Sequence, residues 1–380
     1  MTVYSYGLSN EVKDLSDVLS TLIAQSPTFV HLFKPVENAI SRKHEWAQDV
    51  LRPRTISYTA YNQSTGVFTV TDSSGWSVGD CVRVSGDSAV FRITAVTSTS
   101  ITVQFVASQG STTDAIGDIA TTAGTLIFDY HPIEEASTSG VELFSQSGTD
   151  YNYTQIFRGD VKLSKTALAV RVVGNENQIS VQLERGLKAI THQINRAALF
   201  GVRTQATSST NGVAGGLYCF GTQSGGLSVD ASGAALSVKL INDAAQEILN
   251  AGGTPDTVIC GNGQARVISQ LMRSQITITQ DSGVRGSFAN RLFVESTGDV
   301  LNVLVEPALD ALDGHVWLVD SRGFGLSNLQ GRGMTSTPSN NPEMDALKWS
   351  LLGEMTFEFK NSKQTLCLIR GLRPSASTLA

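Results

Sequence analysis

Few side chains in this sequence have the types and spacing that catalysis or ligand binding requires. Gly261-Asn262-Gly263 follows a predicted strand and precedes a predicted helix, which is where a dinucleotide-binding loop carries its glycines. The third glycine position of that motif holds Arg266, and no acidic residue ends an obvious second strand. We therefore interpret these residues as the N-cap turn of a helix.

Two groups of His and Glu have metal-binding types but not metal-binding spacing. His44 adjoins Glu45, and His131 precedes Glu134 and Glu135, yet neither group forms His-Glu-x-x-His. A Walker loop and a nucleophilic cysteine context are also missing. The sequence predicts no catalytic residue, no cofactor and no metal site.

The four cysteines are isolated in the sequence, at Cys81, Cys219, Cys260 and Cys367. Zinc sites use closely spaced pairs, which this pattern lacks. We expect free, buried thiols, with two long-range disulfides as the alternative.

Composition narrows the class of protein further. Charged residues make up 16% of the 380 residues, below the usual quarter, and the net charge is −6. An acidic chain is not typical of a protein whose main task is to bind nucleic acid. We expect no signal peptide, because the N-terminal residues lack a basic region and an apolar region, and no apolar run is long enough to span a membrane.

A long amphipathic helix, predicted from Asn175 to Gly201, is the element around which the other parts are arranged. Asn175 is the expected N-cap, Gln178 supplies half of a capping box, and Gly201 is the expected C′ residue. Gly186 interrupts the helix and indicates a close contact or a bend. The helix is either a central core helix or a spine that carries separate lobes. Its apolar stripe consists of Ile179, Leu183, Leu187, Ile190, Ile194 and Ala197.

Residues 55–129 are predicted to form a self-contained β module. Strand-like runs at 67–71, 81–85, 89–96 and 101–106 are separated by turns rich in Ser, Gly and Asp. The module contains six aspartates, two arginines and no lysine. A small antiparallel barrel or meander fits this pattern.

The remaining segments mix helices and strands. Residues 10–26 predict an amphipathic helix that ends before Pro27, and an arm follows it. A helix near 237–250, the strand TPDTVIC and the helix NGQARVISQLM form an αβα run. Near the C-terminus, EMTFEFK and QTLCLIR predict a hairpin around Asn361-Ser362.

This order of elements resembles the major capsid proteins of tailed bacteriophages, whose shell fold is the Hong Kong ninety-seven phage type, or Johnson fold. TDYNYTQIFRGDVKLSKTALAV and the NENQI helix look like the end of the family's extended loop entering its spine helix. TPDTVICGNGQARVISQL, LNVLVEPALDALDGHVWLVD and LLGEMTFEFKNSKQTLCLIRGL look like its axial domain and closing peripheral strands. The resemblance covers most of the chain, and only some members carry an insertion such as 55–129.

The resemblance implies an α+β fold in four parts. Residues 1–50 would be an N-terminal arm, and 51–165 an extended β loop carrying the inserted barrel-like module at about 55–129. Residues 166–205 and 335–380 would form a peripheral domain with the long spine helix. Residues 206–334 would form an αβ axial domain.

The resemblance also implies a structural role rather than an enzymatic one. The chain would self-assemble into pentamers and hexamers of an icosahedral capsid in the host cytoplasm and enclose packaged double-stranded DNA without sequence-specific binding or membrane contact. A separate scaffolding protein, a portal and a cement or decoration protein would be its partners. Two other classes stay open: a phage tail, fibre or decoration protein, for which the β module would serve adhesion, and a cytoplasmic αβ enzyme.

Four residues are candidates for contacts between subunits: Trp46 in the arm, and Arg158, Lys162 and Lys165 at the base of the loop. The three cations could pair with a carboxylate of an adjacent subunit, and a solvated strand edge is the alternative. Some members of the family join subunits by an isopeptide bond from a lysine of the extended loop. Because no lysine lies between Lys43 and Lys162, we expect non-covalent contacts alone.

Overall fold

The computed structural model describes residues 28–48, 55–73, 75–108, 119, 122–133, 148–169, 178–223, 226–272, 291–293, 300–339 and 345–375. Several sequence predictions lie outside these residues: the helix at 10–26, the N-cap Asn175, two of the six aspartates of the β module (Asp114 and Asp118), and the glutamates Glu134 and Glu135. The chain divides into two compact units. Unit 1 comprises Met1–His44, Asn152–Tyr218 and Leu326–Phe357, and unit 2 comprises Glu45–Tyr151, Cys219–Gly325 and Glu358–Ala380.

The described residues form both strands and helices, so the predicted mixed α and β class is confirmed. The first ten strands are β1 Lys34–Pro35, β2 Lys43–Gln48, β3 Thr55–Asn62, β4 Val67–Val70, β5 Cys81–Val84, β6 Ala89–Thr97, β7 Ser100–Ser108, β8 Gly124–Tyr130, β9 Gly148–Tyr153 and β10 Gln155–Ser164. The others are β11 Leu227–Asp230, β12 Thr257–Cys260, β13 Arg291–Phe293, β14 Val300–Val305, β15 Val316–Val319, β16 Phe324–Asn328, β17 Thr335–Ser339, β18 Ala346–Phe359 and β19 Leu366–Arg370.

The helices vary in length from one turn to six. They are α1 Lys165–Ala169, α2 Gln178–Phe200, α3 Leu217–Gly221, α4 Val238–Asn250, α5 Asn262–Met272 and α6 Ser362–Thr365, with short 3₁₀ helices at Phe29–Leu32, Pro307–Leu312 and Ser321–Gly323. No helix in the described part of the chain is long and apolar enough to cross a membrane.

In unit 1, the helix α2 packs on a sheet whose strand order is β1-β16-β18-β10, with β17 also paired to β18. The strands β10 and β18 run antiparallel from the pair Gln155–Met355 to the pair Ser164–Ala346. The close contact predicted at Gly186 is present, since a Cβ there would lie 3.0 Å from Leu351 Cδ1 and from Val161 Cγ2. Glycine therefore lets the helix approach the sheet.

The buried face of α2 differs from the predicted stripe at one position. Ile190 is 3% exposed, but Leu187 is 42% exposed, so its placement in the packing face was wrong. Successive helical residues are rotated by about 100°. Because the helix meets the sheet through Gly186 and Ile190, Leu187 lies beside the contact rather than in it.

Asn152 connects three segments of unit 1 through its side chain. It is fully buried, and its Nδ2 donates to the carbonyl oxygens of Gly215, at 3.0 Å, and Phe357, at 2.8 Å. Its Oδ1 accepts from the amide nitrogens of Gly215, at 2.7 Å, and Tyr153, at 2.9 Å. A buried amide with its donors and acceptors occupied contributes to a single, well-defined packing arrangement.

Within unit 2, the strands β3, β4, β7, β6, β5 and β8 close, in that order, into a barrel. Alternate side chains of β4 point inward, as do those of β3 up to a bulge after Tyr58, and the interior is aromatic. Tyr61 stacks on Phe68 with ring centroids 4.2 Å apart, and Tyr58 lies 4.8 Å from the same ring. The barrel thus has a hydrophobic core of its own.

Unit 2 also contains a mixed sheet with the strand order β11-β19-β15-β12-β14-β13. Its two parallel pairs are β11 with β19 and β12 with β14. The helices α4 and α5 bury their apolar faces against this sheet, and Ser237 caps α4 by accepting from the Leu240 amide at 3.3 Å.

The hairpin predicted around Asn361-Ser362 is wrong. β18 pairs with β10, β16 and β17, whereas β19 pairs with β11 and β15 in the other sheet. Asn361 adopts a left-handed conformation, with φ of 51°, and begins the one-turn helix α6 between the two strands. Apolar content could not distinguish these pairings, because β19 and the end of β18 are buried on both faces.

Candidate intersubunit surface

The strand β10 presents alternate side chains to two environments. Gly159 and Val161 face α2, since they lie against Ile190 and Gly186. Arg158, Asp160 and Lys162 therefore point to the other side of the sheet. On the neighbouring strand β18, Lys348 lies opposite Lys162, and Ser350 lies opposite Asp160. We call the side formed by Arg158, Asp160, Lys162, Lys348 and Ser350 the outer face.

Asp160 is the centre of the outer face. It accepts hydrogen bonds from Ser350 Oγ at 2.7 Å and Arg158 Nε at 3.4 Å, and Lys348 Nζ lies 2.9 Å away. The hydrogen bond from Lys348, then that from Ser350, lowers the pKa of Asp160 to about 2. The carboxylate is thus charged across the ordinary pH range, and it holds two of the three cations in place.

The lowered pKa of Asp160 predicts a pH-dependent contribution to stability. Because the pKa is lower in the folded chain, the stabilisation is present above the unfolded value of about 4 and is lost as the pH falls towards 2. We expect Asp160→Asn to lower the melting temperature of the purified chain at pH 6. The difference between parent and variant should shrink at pH 2.5, and a difference that is equal at both pH values would contradict this assignment.

The structure brings together some of the residues selected from the sequence, but not all four. Arg158 and Lys162 share the outer face, and the Arg158 side chain is 57% exposed. Lys165 begins α1, where its Nζ lies 3.8 Å from Asp345 Oδ1. Trp46 on β2 is 7% exposed, with its ring 6.0 Å from that of Phe220, so it offers little surface to a neighbouring chain.

Sequence reasoning missed Asp160, Lys348 and Ser350 as members of this cluster. Asp160 was within reach, because period-two alternation places it on the same side as Arg158 and Lys162. Lys348 and Ser350 lie about 190 residues further along the chain, and their position depends on strand pairing. A single sequence carries no signal for that pairing.

Residues considered for other chemistry have structural partners. The carboxylate of Asp310 accepts from the backbone nitrogen and the side-chain Nδ2 of Asn262, both at 2.6 Å. The start of α5, where a dinucleotide phosphate would bind, is therefore occupied by the protein itself. His131 Nδ1 lies 2.7 Å from Asp80 Oδ1, and among the described residues no group of three His, Cys, Asp or Glu side chains could hold a metal ion.

All four cysteines are free. Cys81, Cys260 and Cys367 are buried, and Cys219 is half-buried. Burial raises the pKa of Cys260 and that of Cys367 to about 12. These two thiols stay protonated and serve as small apolar side chains.

Comparison with known proteins decides among the three classes left open by the sequence. The family model described as SU10 major capsid protein matches residues 2–373. The chain belongs to this family. It is therefore a structural subunit of a phage capsid and not an enzyme, and it assembles with further copies of itself in the shell of the virion.

Solved structures of low sequence identity are also similar to this chain over nearly its whole length. A structure from Microbacterium phage Oxtober96 has a TM-score of 0.51 at 11% identity, with 95% of this chain and 96% of that chain covered. One from Mycobacterium phage Adephagia has a TM-score of 0.49 at 11% identity, with 95% and 94% covered. The capsid of Myoviridae Phage XM1 has a TM-score of 0.48 at 11% identity, with 95% and 97% covered. A comparison with curated proteins finds no match.

Proposed function

We propose that this capsid protein builds an icosahedral shell of pentamers and hexamers that encloses double-stranded DNA without sequence-specific contacts. The match to the capsid family over residues 2–373 carries this proposal. A separate scaffolding protein, a portal and a cement or decoration protein would act with it, and assembly would take place in the host cytoplasm.

The arrangement of elements supports assigning the parts of the shell fold. The helix α2 on the β10–β18 sheet would be the spine helix of the peripheral domain, at 166–205 and 335–380. The mixed sheet with α4 and α5 would form the axial domain, at 206–334, with the strand β19 added to it from the C-terminal segment. The barrel would be a module inserted in the extended loop, at 51–165, and residues 1–50 would form the N-terminal arm.

Electron microscopy of the purified full-length chain tests the proposal directly. Closed shells or ring-shaped capsomers are expected after assembly is induced, with a scaffolding protein added if the chain alone stays monomeric. Fibres would contradict the proposal, as would particles that never exceed a single chain in mass under either condition.

We assign the outer face to contact with a carboxylate on an adjacent subunit. It carries three cations, Arg158, Lys162 and Lys348, against one carboxylate, Asp160. The Arg158 side chain is 57% exposed, and a guanidinium binds carboxylates through two parallel hydrogen bonds. Lys165 could extend the contact at the start of α1. Trp46, which is buried, would contribute less.

The contact predicts how shells respond to loss of charge on the outer face. Particles of Arg158→Ala with Lys162→Ala should disassemble at lower temperature and lower salt than the parent, because each pair is worth roughly 0–1 kcal/mol and recurs in every subunit. Light scattering during heating measures this. The matched control is Lys239→Ala with Lys363→Ala, which removes two exposed cations from unit 2. Particles of the two double variants with equal stability would exclude the contact.

The barrel is expected to be separable from the rest of the fold. Tyr58 pairs with Gly124, so a short Gly/Ser linker in place of residues 60–122 can join two strands that are already adjacent. Tyr58→Thr and Leu126→Thr would keep the shortened hairpin soluble. The helical circular dichroism signal should persist while shell stability falls, and loss of that signal would show that the barrel is needed for folding.

A further inference from the structure

The exposed side of α2 carries a line of basic residues. Arg185, Lys188, His192 and Arg196 follow one another at intervals of three, four and four, which places them on one side of the helix. Arg185, Lys188 and Arg196 are exposed, and His192 is half-buried. This line, which we call the α2 stripe, lies opposite the face that meets the sheet through Gly186 and Ile190.

Few acidic groups among the described residues neutralise the cations of the α2 stripe. Glu184 is the only acidic residue in α2, and it pairs with Lys188 at 2.6 Å. Both side chains of that pair are largely exposed, so a stronger anion can displace the carboxylate at little cost. Among the described residues, neither Arg185 nor Arg196 forms an ion pair.

Charge is divided unequally between the two units. The described residues of unit 1 include twelve Lys and Arg against five Asp and Glu, whereas those of unit 2 include ten against fifteen. Unit 1 is therefore basic, although the net charge of the whole chain is −6. Clustered positive charge of this kind is the usual electrostatic footprint of a protein that binds a polyanion.

We propose that the α2 stripe binds the phosphate backbone of the DNA enclosed by the shell, an inference that rests on the proposed function. Arg185 and Arg196 are eleven residues apart, or about 16 Å along the helix, which spans several phosphates of one strand. Guanidinium groups bind phosphate oxygens bidentately, and they do so without reading the bases. The stripe would thus hold DNA against the shell at any sequence.

The test is binding of the full-length chain to a short DNA duplex of arbitrary sequence over a range of salt concentrations. Arg185→Gln with Arg196→Gln removes two phosphate contacts, so the slope of log affinity against log salt should become less steep by about 1.8. From a common affinity at 1 M salt, that change corresponds to roughly sixtyfold weaker binding at 0.1 M. Arg185→Lys with Arg196→Lys, which keeps the charges, should retain most of the slope.

Two controls make the assignment specific to α2. Arg158→Gln with Lys162→Gln removes two cations from the outer face, and Lys239→Gln with Lys363→Gln removes two from unit 2. Each control should change the slope of log affinity against log salt by less than half of the change expected for Arg185→Gln with Arg196→Gln. Equal losses in all three double variants would overturn the inference, because binding would then follow net charge rather than the stripe.

Electron microscopy of the same variants separates this inference from the proposed function. If the α2 variant still forms shells while its DNA binding is unchanged, the stripe does not bind DNA but the shell assignment stands. If it loses shells without a change in the salt slope, the stripe contacts an acidic surface of a second copy instead, and the inference is wrong. A parent chain that binds DNA and never forms particles would overturn the proposed function.

Discussion

Replacing Ile190 by Asp is expected to abolish soluble, assembly-competent protein. Ile190 is 3% exposed, and its Cδ1 would lie only 3.0 Å from a Cβ at Gly159, so the side chain sits directly on the sheet. The substitution removes apolar burial and places a carboxylate where no water can reach it, at a combined cost of about 4 kcal/mol or more. That is a large part of the roughly 5–15 kcal/mol that stabilises a typical domain.

Leu187→Asp is the matched control for this prediction. It introduces the same carboxylate three residues earlier on the same helix, but Leu187 is 42% exposed, so the cost should stay near about 1 kcal/mol. Leu183 is half-buried, so the stability cost of Leu183→Asp should lie between the costs at Leu187 and Ile190. Soluble yield and thermal melting monitored by circular dichroism measure the series. Equal losses of soluble yield and melting temperature in the variants at 187 and 190 would indicate that Leu187 belongs to the buried face, as the sequence predicts.

These three leucine and isoleucine positions show what helical periodicity can establish. Spacing at three and four residues predicts the helix and most of its buried face, because both follow from local geometry. It does not predict where the neighbouring sheet touches the helix. That contact is set by Gly186 and Gly159, whose missing side chains allow the close approach. A glycine in a helix predicts a close contact, but it does not predict which neighbouring residues lie against the sheet.

In the candidate intersubunit surface, the sequence pattern likewise fails to predict which strands pair. Alternation along β10 predicts which of its residues share a side, and Arg158 and Lys162 were selected on that segment. The partner strand β18 begins at Ala346, and its Lys348 and Ser350 complete the cluster around Asp160. The C-terminal hairpin failed for the same reason, since β18 and β19 are both apolar but pair in different sheets. Local sequence patterns therefore predict where strands form, whereas contacts between distant residues decide which strands pair.

The second large effect concerns covalent bonds between subunits. Isopeptide formation in related shells needs a lysine amine on the extended loop, held in a dry pocket where it becomes nucleophilic. No lysine occurs between Lys43 and Lys162, so the barrel and strand β9 carry no side-chain amine. Arginine cannot replace lysine, because its guanidinium stays protonated.

The nearest lysines are poorly placed for this reaction. Lys162 is exposed on the outer face opposite Lys348, and the Lys165 side chain is 52% exposed beside Asp345. Neither amine has the burial that activation requires. We therefore expect the shell to be held by non-covalent contacts alone, with buried area supplied by the barrel where other members use crosslinks.

Denaturing gel electrophoresis of mature particles checks this expectation. After boiling in detergent with a reductant, which removes any contribution from the four free thiols, the chain should run as one band near 40.5 kDa. A slightly lower mass would indicate a trimmed terminus and leave the argument intact. A ladder at multiples of the chain mass that resists reductant would show a covalent bond between subunits. Because no lysine lies between Lys43 and Lys162, that bond would have to use Lys162, Lys165 or a different nucleophile. Substitution of each lysine by Arg would then identify the donor.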